Sequence, residues 1–471
     1  MMRYILLLYL CMFCMKVCAQ QCGCAENFQA VMNKMRTNYV GYNDKITAQN
    51  RNAFNRLTDS IKQQALTADT RTCLLLMSRW VAFFKDGHVS VTLNDDTAHH
   101  NTIRQLFSNT EQVPVSERQL VSYLNEQPSP DTLEGIWEDE TASYRIGIMR
   151  RKPGSPELTA FVLKADSLYW MPGQVKMKLE KKGSKYTLSA YYNRTHILST
   201  PVITAVNRSV LTLSGIGNWY KQYPDKDKAA AILAADPYRP YFKVLDKNTC
   251  LLAIPSAMLN YKSEIDSLLK ANDALIKHTA NFIIDVRGNG GGSVLCFENL
   301  LPLLYTRPFI SKGAAVMATP DNIRDYYELT DFPNVSDSMK QVFKKEARDL
   351  WAHQGGIYNL WPGDTLAFNT VLPYPRKVAI LINEDCASST ELFLIKARQS
   401  SKVTMYGRHT MGAVDYADAA TTRLPCSLFR LRYSTSRSNR LPEERIDNIG
   451  IQPQVKIPAN VKDWVEYVRI L

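Results

Sequence analysis

The hydrophobic pattern divides the chain into three parts with different periodicity. Between residues 24 and 85, apolar side chains recur at three- and four-residue spacing, which predicts helices over 27–39, 48–66 and 70–84. From residue 133 to about residue 220, apolar and polar residues alternate in short runs between glycine and charged turns. This alternation predicts an antiparallel β domain, either a small barrel or a sandwich. From about residue 241, patterns of buried strands alternate with helical patterns, which is typical of an α/β core.

These changes of pattern define the predicted domains and an α+β / α/β fold class. We expect a signal peptide over 1–19, an N-terminal helical segment over 20–130, an antiparallel β domain over 131–225 and an α/β core over 226–471. The apolar run from Ile5 to Met15, followed by Val17-Cys18-Ala19, is typical of a secretory signal cleaved after Ala19. This run is too short to span a bilayer, and no later stretch looks like an integral membrane segment. We therefore expect a secreted or periplasmic protein, or one associated with the cell envelope.

Composition and charge narrow the range of partners. The 471 residues are 45% hydrophobic and 22% charged, and the net charge of +12 comes from basic residues interleaved with acidic ones. Such interleaving is typical of a solvated surface and argues against a nucleic-acid partner. The cysteines outside the signal are too sparse for a disulfide scaffold, but an oxidising compartment permits a bridge from Cys22 or Cys24 to Cys73, with at least one thiol left free. No paired cysteine or histidine spacing suggests a metal site, and we expect no cofactor.

The strongest chemical signal is a strand followed by a serine-rich turn. Residues 377–383 form an apolar run of strand length, and the helical pattern after Ser388 and Ser389 begins at Glu391. A serine at such a turn can present its hydroxyl at the edge of a sheet, with backbone N–H groups facing the same point. This geometry suits a nucleophile beside an oxyanion hole. The alternative interpretation is that the two serines only cap the helix.

Two further motifs are candidates for a site at this turn. A glycine-rich stretch, Arg287 to Ser293, follows the predicted strand 281–286, and such a loop can turn its N–H groups towards a ligand. A phosphate-binding loop is the rival interpretation, but its Lys-Ser/Thr ending is missing. His88 follows Asp86 and Gly87 and opens a predicted strand over 89–93. A single histidine at such a junction is more often structural than functional.

Four segments in this order resemble one family: residues 281–293, 377–398, 407–412 and 450–453. They are similar to the C-terminal processing (tail-specific) serine peptidases, a group that includes the tricorn protease core and the retinoid-binding protein repeats. The resemblance covers about residues 241–460 and implies a ClpP/crotonase-like α/β catalytic core. It also implies that Ser388 is the nucleophile and that the glycine-rich loop supplies an oxyanion amide from Gly291, with Gly290 and Gly292 as the less favoured choices.

One departure from the family concerns the general base. Tail-specific members carry a lysine 25 residues after the serine, where this chain has Ala413, and the nearby Lys402 lacks the glycine context. Either the base is different or the protein is inactive. The tricorn-like branch uses an upstream histidine and a C-terminal carboxylate, which correspond here to His88 and Asp447. His409 is the competing base, and Glu443 and Glu444 are alternative orienting carboxylates.

The resemblance therefore implies a secreted or periplasmic serine endopeptidase that acts on a peptide or protein substrate. Ser388, His88 and Asp447 would form the triad, and the amides of Gly291 and Ser389 would hold the oxyanion. A PDZ domain, which grips free C-termini in this family, is not visible, and the β domain stands in its place. The alternative is a catalytically inactive peptide- or lipid-binding protein on the same fold. The oligomeric state is left open by the sequence.

Overall fold

The structure is a computed structural model that describes residues 22–152, 154–199, 201–213, 216–224, 236, 238–328 and 337–471. The predicted signal peptide lies outside these residues. Among the described helices, none is both long enough and apolar enough to cross a membrane.

The N-terminal segment is helical and packs around a group of aromatic side chains. Trp80 contacts Phe28, Phe54 and Phe84 with ring centroids 5.2–5.6 Å apart. The three predicted helices are present; α4 begins at the predicted residue, and the other helix ends are shifted by one to three residues. The elements are α1 (Cys24–Asn38), α2 (Tyr42–Lys45), α3 (Arg51–Ala65), α4 (Thr70–Val81), a 3-10 turn (Ala82–Phe84), β1 (Ser90–Leu93), a second 3-10 turn (Thr97–His99), α5 (His100–Ser108) and α6 (Glu117–Glu126).

The middle of the chain forms an antiparallel sheet, in agreement with the expected fold class. Along the chain its described strands are β2 (Gly135–Asp139), β3 (Arg145–Met149), β4 (Glu157–Lys164), β5 (Val175–Lys182), β6 (Lys185–Tyr192), β7 (Leu198–Ser199), β8 (Ile203–Val206), β9 (Val210–Leu213) and β10 (Gly217–Tyr223). In space they are ordered β7-β6-β5-β4-β3-β2-β10-β9-β8. Trp137 and Trp219 lie in its buried core beside Met177, so these two aromatic residues are core residues of the domain.

The α/β core is built on a second sheet. Its elements begin with β11 (Tyr241–Asp246), β12 (Thr249–Ala253), a 3-10 turn (Leu259–Tyr261), α7 (Lys262–Ala271), α8 (Asp273–Ile276), β13 (Asn281–Asp285), a 3-10 helix (Val294–Leu300), α9 (Leu301–Leu304), β14 (Phe309–Ser311) and β15 (Ala314–Met317). They continue with α10 (Pro320–Asn322), a π-helical turn (Ile323–Tyr327), α11 (Asp337–Ala352), β16 (Ile357–Trp361), β17 (Asp364–Leu366), β18 (Lys377–Ile382), α12 (Ser389–Ala397), β19 (Val403–Gly407), β20 (Tyr416–Arg423), β21 (Phe429–Ser438), β22 (Val455–Lys456) and α13 (Trp464–Arg469).

Parallel pairing places the two chemically interesting loops at one edge of this core sheet. The order is β11-β12-β13-β18-β19-β22, and β13 pairs with β18 in parallel, with Asp285 opposite Leu381. Alternate residues of the central strands face opposite sides, where they are buried in two separate apolar clusters. Because parallel strands end at the same edge, the glycine-rich loop after β13 and the serine turn after β18 are neighbours.

A third sheet joins the N-terminal segment to the core through β21. On one edge, β21 pairs with β1 through residues 429–432 and with β15 through residues 436–438. On its other edge it pairs with β20 over nearly its whole length. The strand that follows His88 is therefore hydrogen-bonded to a strand more than 300 residues later in the sequence.

Two disulfides also tie the N-terminal segment. Cys24 bonds to Cys73, one of the pairings expected from the sequence, and Cys22 bonds to Cys426. Cys250, Cys296 and Cys386 are free and buried. The first bridge links α1 to α4, and the second links the start of the described chain to the turn between β20 and β21.

We predict that the Cys24→Ser/Cys73→Ser variant unfolds more easily than the wild type. The bridge closes a loop between residues 49 positions apart, and a loop of that size constrains the unfolded chain by about 4 kcal/mol. Urea unfolding should show a loss of about 2–4 kcal/mol. As a control, a Cys22→Ser/Cys426→Ser background retains only this bridge. Reductant should therefore destabilise that background, and no response would contradict the pairing.

Candidate active site

Ser388 lies at a sharp turn between β18 and α12. Its backbone has φ 55° and ψ −120°, a conformation that side-chain-bearing residues rarely adopt. Such strain persists only where surrounding contacts enforce it, and it is the hallmark of nucleophile turns between a strand and a helix. The residue is half-buried, and its carbonyl accepts the hydrogen bond of Leu392 N–H, 3.0 Å away, in the first helical turn.

Glu391 holds this turn against the loop formed by residues 410–415, which we call the bridging loop. One carboxylate oxygen accepts hydrogen bonds from Ser388 N–H at 3.1 Å and Ala413 N–H at 2.8 Å. The other accepts from Gly412 N–H at 2.9 Å and from the Thr410 hydroxyl. Glu391 is fully buried, and four donors compensate the cost of removing its charge from water. The serine turn and the bridging loop therefore form one unit.

The glycine-rich loop approaches Ser388 at van der Waals distance. A Cβ atom on Gly291 would lie 2.9 Å from Ser388 Cβ and 2.8 Å from the Ala387 carbonyl oxygen, so only glycine fits there. Ala387 N–H donates to the carbonyl of Asn289 at 3.1 Å, which fixes the loop to the serine turn. The N–H of Gly291 donates to the side-chain oxygen of Asn289 at 3.0 Å. The backbone of Gly291, the predicted oxyanion donor, thus lies beside Ser388. Its N–H is hydrogen-bonded within the glycine-rich loop.

Ser389 is the first residue of α12. Its side chain is buried, and its hydroxyl oxygen has no hydrogen-bond partner within the described part of the chain. The adjacent serines therefore differ in accessibility, since Ser388 is only half-buried whereas Ser389 is buried. This difference favours Ser388 over Ser389 as a nucleophile.

His88 lies in the short loop before β1, beside a buried carboxylate. Its Nδ1 is 3.5 Å from Asp86 Oδ1, and Asp86 Oδ1 also accepts the backbone N–H of His88 at 2.8 Å. The other oxygen of Asp86 accepts from Tyr39 Oη at 3.0 Å and from Ser434 Oγ at 2.9 Å. Burial alone would raise the pKa of Asp86, but the interactions with His88 and the Ser434 hydroxyl hold it below its usual range. Asp86 is therefore an anion that faces the Nδ1 side of the imidazole.

The loop with His88 packs against the position where the family carries lysine. A Cβ atom on Gly87 would lie 3.5 Å from the Cβ of Ala413, and the carbonyl of Lys85 accepts a hydrogen bond from Asn448 Nδ2 at 2.8 Å. The loop of His88 and the turn of Ser388 thus both contact the bridging loop, the first through Gly87 and the second through Glu391. In the described part of the chain, no hydrogen bond joins the two catalytic candidates directly.

Asp447 holds the other half of the bridging loop. Its Oδ1 accepts from the N–H groups of Val414 at 2.9 Å and Asp415 at 2.8 Å, and its Oδ2 is 3.5 Å from Lys45 Nζ. Burial, together with the nearby charge of Asp415, raises the pKa of Asp447 to about 6. The contacts of Asp447 are thus with the bridging loop and α2, whereas the carboxylate in contact with the His88 ring is Asp86.

The other candidates from the sequence are the alternative bases and the alternative orienting carboxylates. His409 is exposed, with Nδ1 2.8 Å from the Thr410 carbonyl oxygen. Glu443 is exposed, and Glu444 pairs with Lys312 at 2.7 Å and Arg398 at 3.5 Å. Lys402 donates to the carbonyl of Leu372 at 2.6 Å. These contacts engage the side chains of Glu444 and Lys402 elsewhere on the surface.

Three residues of the site escape the sequence analysis. Glu391 has a visible signal, because a glutamate three residues after an N-cap serine is the spacing of a capping box. Asn289 has no such signal in the sequence, because its role depends on its burial and on the contact between the glycine-rich loop and the serine turn. Asp86 belongs to the Asp-Gly-His motif, but its contact with the imidazole becomes apparent only from the geometry.

Comparison with known proteins supports the architecture. Residues 248–457 match the sequence profile of Peptidase family S41. A protein of Chlamydia trachomatis is 24% identical over 214 residues, and a protein of Chlamydia pneumoniae is 26% identical over 219 residues. These matches cover 40% and 41% of this chain, but only 35% of each relative. The chain thus spans about a third of the length of the curated relatives it matches.

Two solved structures can be aligned with this chain over most of their length and most of its own. A mutant of CPAF superimposes with a TM-score of 0.50 at 14% identity, covering 92% of this chain and 93% of that chain. This likeness shows a shared fold. The photosystem II D1 C-terminal processing protease gives a TM-score of 0.40 at 12% identity, with coverage of 93% and 94%.

We predict that Asp447→Asn flattens the dependence of stability on pH between about pH 4 and pH 6. The carboxyl pKa is raised from 3.8 to about 6 on folding, so folding favours its protonated form. The contribution of Asp447 to stability is therefore largest below pH 4, falls as pH rises to 6 and is constant above it.

Urea unfolding of wild type and variant at pH 4, 5, 6 and 7 tests this sign. The free energy of unfolding of the wild type, relative to that of the variant, should fall by up to about 3 kcal/mol across the window. A relative stability that rises with pH would contradict the assignment.

Proposed function

Because the α/β core of this chain, residues 248–457, belongs to peptidase family S41, the tail-specific and C-terminal processing peptidases, we propose that the protein is a secreted or periplasmic serine endopeptidase. The observation that carries this proposal is the position of Ser388. It stands half-buried in a strained strand-to-helix turn, with the backbone of Gly291 against it. A serine used only as a helix cap requires neither this backbone strain nor a neighbouring loop that tolerates only glycine.

In the proposed reaction, Ser388 Oγ attacks the carbonyl carbon of the scissile peptide bond. His88 takes the serine proton as general base and returns it to the nitrogen of the leaving amine. An acyl-enzyme forms, and a water molecule deprotonated by the same histidine then releases the acid product. Since Nδ1 of His88 faces Asp86, Nε2 is the ring nitrogen available for these transfers.

Two carboxylates support the histidine in this proposal, at different distances. Asp86 fixes the orientation of the ring and stabilises its protonated form, because its Oδ1 is 3.5 Å from Nδ1. Asp447, the orienting residue expected from the sequence, acts one step away. It fixes the bridging loop against which Gly87 packs. Because both carboxylates are buried, replacing either one would change the geometry of the site as well as its charge.

The oxyanion would be held by the amides of Ser389 and Gly291. Ser389 N–H stands at the start of α12, where the first N–H groups of a helix lack intrahelical acceptors. Gly291 N–H would have to leave the side chain of Asn289, 3.0 Å away, when a tetrahedral intermediate forms. Each such donor is worth about 3 kcal/mol of transition-state stabilisation in serine peptidases.

The proposed substrate is an internal peptide bond of a peptide or protein. The antiparallel sheet of β2–β10 occupies the part of the chain where tail-specific members carry the module that grips free C-termini. Recognition of a terminal carboxylate is therefore not part of the proposal. The extracytoplasmic location rests on the signal-like first 19 residues and agrees with two disulfides, which persist in oxidising compartments.

Labelling with a fluorophosphonate tests the nucleophile. Wild-type protein should be labelled on Ser388, and Ser388→Ala should lose all labelling while unfolding at the same temperature. The matched control is Ser389→Ala, which keeps its backbone N–H and should remain labelled. Label found on Ser389 would reassign the nucleophile. A folded wild type that never reacts would favour the alternative, a catalytically inactive peptide- or lipid-binding protein on this fold.

A second pair of variants tests the base. His88→Ala should lower kcat/KM for peptide hydrolysis by about 10²–10⁴-fold, because a positioned general base contributes that much. His409→Ala is the matched control, since this histidine is exposed, and its activity should be close to that of the wild type. Loss of activity in His409→Ala with retention in His88→Ala would overturn the assignment.

A further inference from the structure

A cavity of about 570 Å³ lies between the end of α12, strand β19 and residues 445–454. Three arginines line it: Arg307 from the connection between α9 and β14, Arg398 at the end of α12, and Arg445. We call it the arginine cavity. Among the described residues, no aspartate or glutamate lines it. Its volume is within the range of small-ligand sites, about 300–1,000 Å³.

Contacts between neighbouring segments bring the three arginines together. Arg307 Nε donates to the carbonyl of Gln399 at 2.8 Å, and Gln399 follows Arg398 in the chain. Arg398 Nη2 lies 3.5 Å from Glu444 Oε2, and Glu444 precedes Arg445. The arginines thus come from three segments that meet at the end of α12, so their convergence depends on the fold and not on a run of basic sequence.

The acidic residues beside Arg445 do not neutralise this cluster. Glu444 lines a neighbouring cavity and lies closer to Lys312, at 2.7 Å, than to Arg398, at 3.5 Å. Glu443 is exposed and lines neither cavity. The side chain of Arg445 is exposed and forms no ion pair or hydrogen bond with the described residues. Because like charges around one cavity repel each other, the arginine cavity favours an anion.

The remaining lining suits an organic group beside that anion. The side chains of Met405, Ile446 and Ile451 are buried and form an apolar part of the wall. Gln454 adds an amide, and its side-chain oxygen accepts the N–H of Met405 at 2.8 Å. Because that oxygen is engaged, the amide presents its NH₂ end as the donor for a ligand. The lining thus combines positive charge, a neutral donor and an apolar surface.

We propose that the arginine cavity binds the phosphate group of a phosphate monoester. Guanidinium groups present paired N–H donors that match phosphate oxygens, and a monoester carries nearly two negative charges at neutral pH. Arg307 also binds the end of α12, whereas Arg445 has no other partner among the described residues, so the proposal depends most on Arg445. None of the residues assigned to the candidate active site lines the arginine cavity. The inference therefore does not rest on the proposed peptidase function.

Titration calorimetry with phenyl phosphate tests this site in the full chain, at constant ionic strength because salt screens exposed charges. We expect saturable binding by the wild type and binding about tenfold weaker by Arg445→Gln, which loses a charge-assisted contact. Arg445→Lys should recover only part of the affinity, since an ammonium cannot form a bidentate pair. Arg56→Gln is the matched control, because it removes an exposed arginine of α3, and it should bind like the wild type.

Two further probes define the ligand. Benzoate bound as tightly as phenyl phosphate would overturn the choice of phosphate. Vesicles of phosphatidylcholine with and without phosphatidic acid distinguish the source of the monoester. Sedimentation with phosphatidic acid vesicles that is lost in Arg445→Gln would support the site and assign the phosphate to a lipid headgroup, whereas binding of phenyl phosphate alone would support a soluble ligand.

Equal binding of phenyl phosphate by wild type and Arg445→Gln would overturn the inference. So would the absence of binding by the wild type to both phenyl phosphate and phosphatidic acid vesicles. Should Arg445→Gln fail to fold, Arg398→Gln provides the second test, because it removes another guanidinium from the same lining. It should also weaken binding about tenfold, and unchanged affinity would again contradict the assignment.

Discussion

The pairing of β21 with strands from distant parts of the chain is the constraint on which the remaining structure depends. One edge of β21 takes β1 from the N-terminal segment and β15 from the core, and the other edge takes β20. The β1 pairing fixes the loop of His88 relative to the core, together with the contacts of that loop with Ala413 and Asn448. Because Ser434 of β21 also donates to Asp86, the carboxylate beside the His88 ring, the same strand helps to fix both the loop of His88 and its neighbouring carboxylate.

The site is held together by buried carboxylates, each with its full set of donors. Glu391 receives four hydrogen bonds, Asp86 receives three, and Asp415 accepts from Arg440 and from two backbone N–H groups. An unsatisfied charge at such depth would cost several kcal/mol. These groups therefore fix the loops around the site, and Glu391 and Asp447 hold the two halves of the bridging loop.

Local sequence patterns account for much of the fold and for part of the site. Apolar periodicity correctly predicts α1, α3 and α4, several strands of the antiparallel sheet and the central core strands β13 and β18, since these depend on residues close in the chain. The serine turn and the glycine-rich loop are likewise local motifs. The contact of Asp86 with His88 and the anchoring of the bridging loop by Asp447 both depend on contacts between distant segments. No local pattern encodes such pairing, so the sequence could name His88 without revealing what surrounds it.

The close approach of Gly87 to Ala413 has a consequence for how sites of this family diverge. A Cβ atom on Gly87 would be in ordinary van der Waals contact with the Ala413 side chain, at 3.5 Å. A longer side chain at position 413 would therefore meet the loop that carries His88. An exchange of alanine for lysine at this position would change the packing of the histidine loop together with the chemistry of the base.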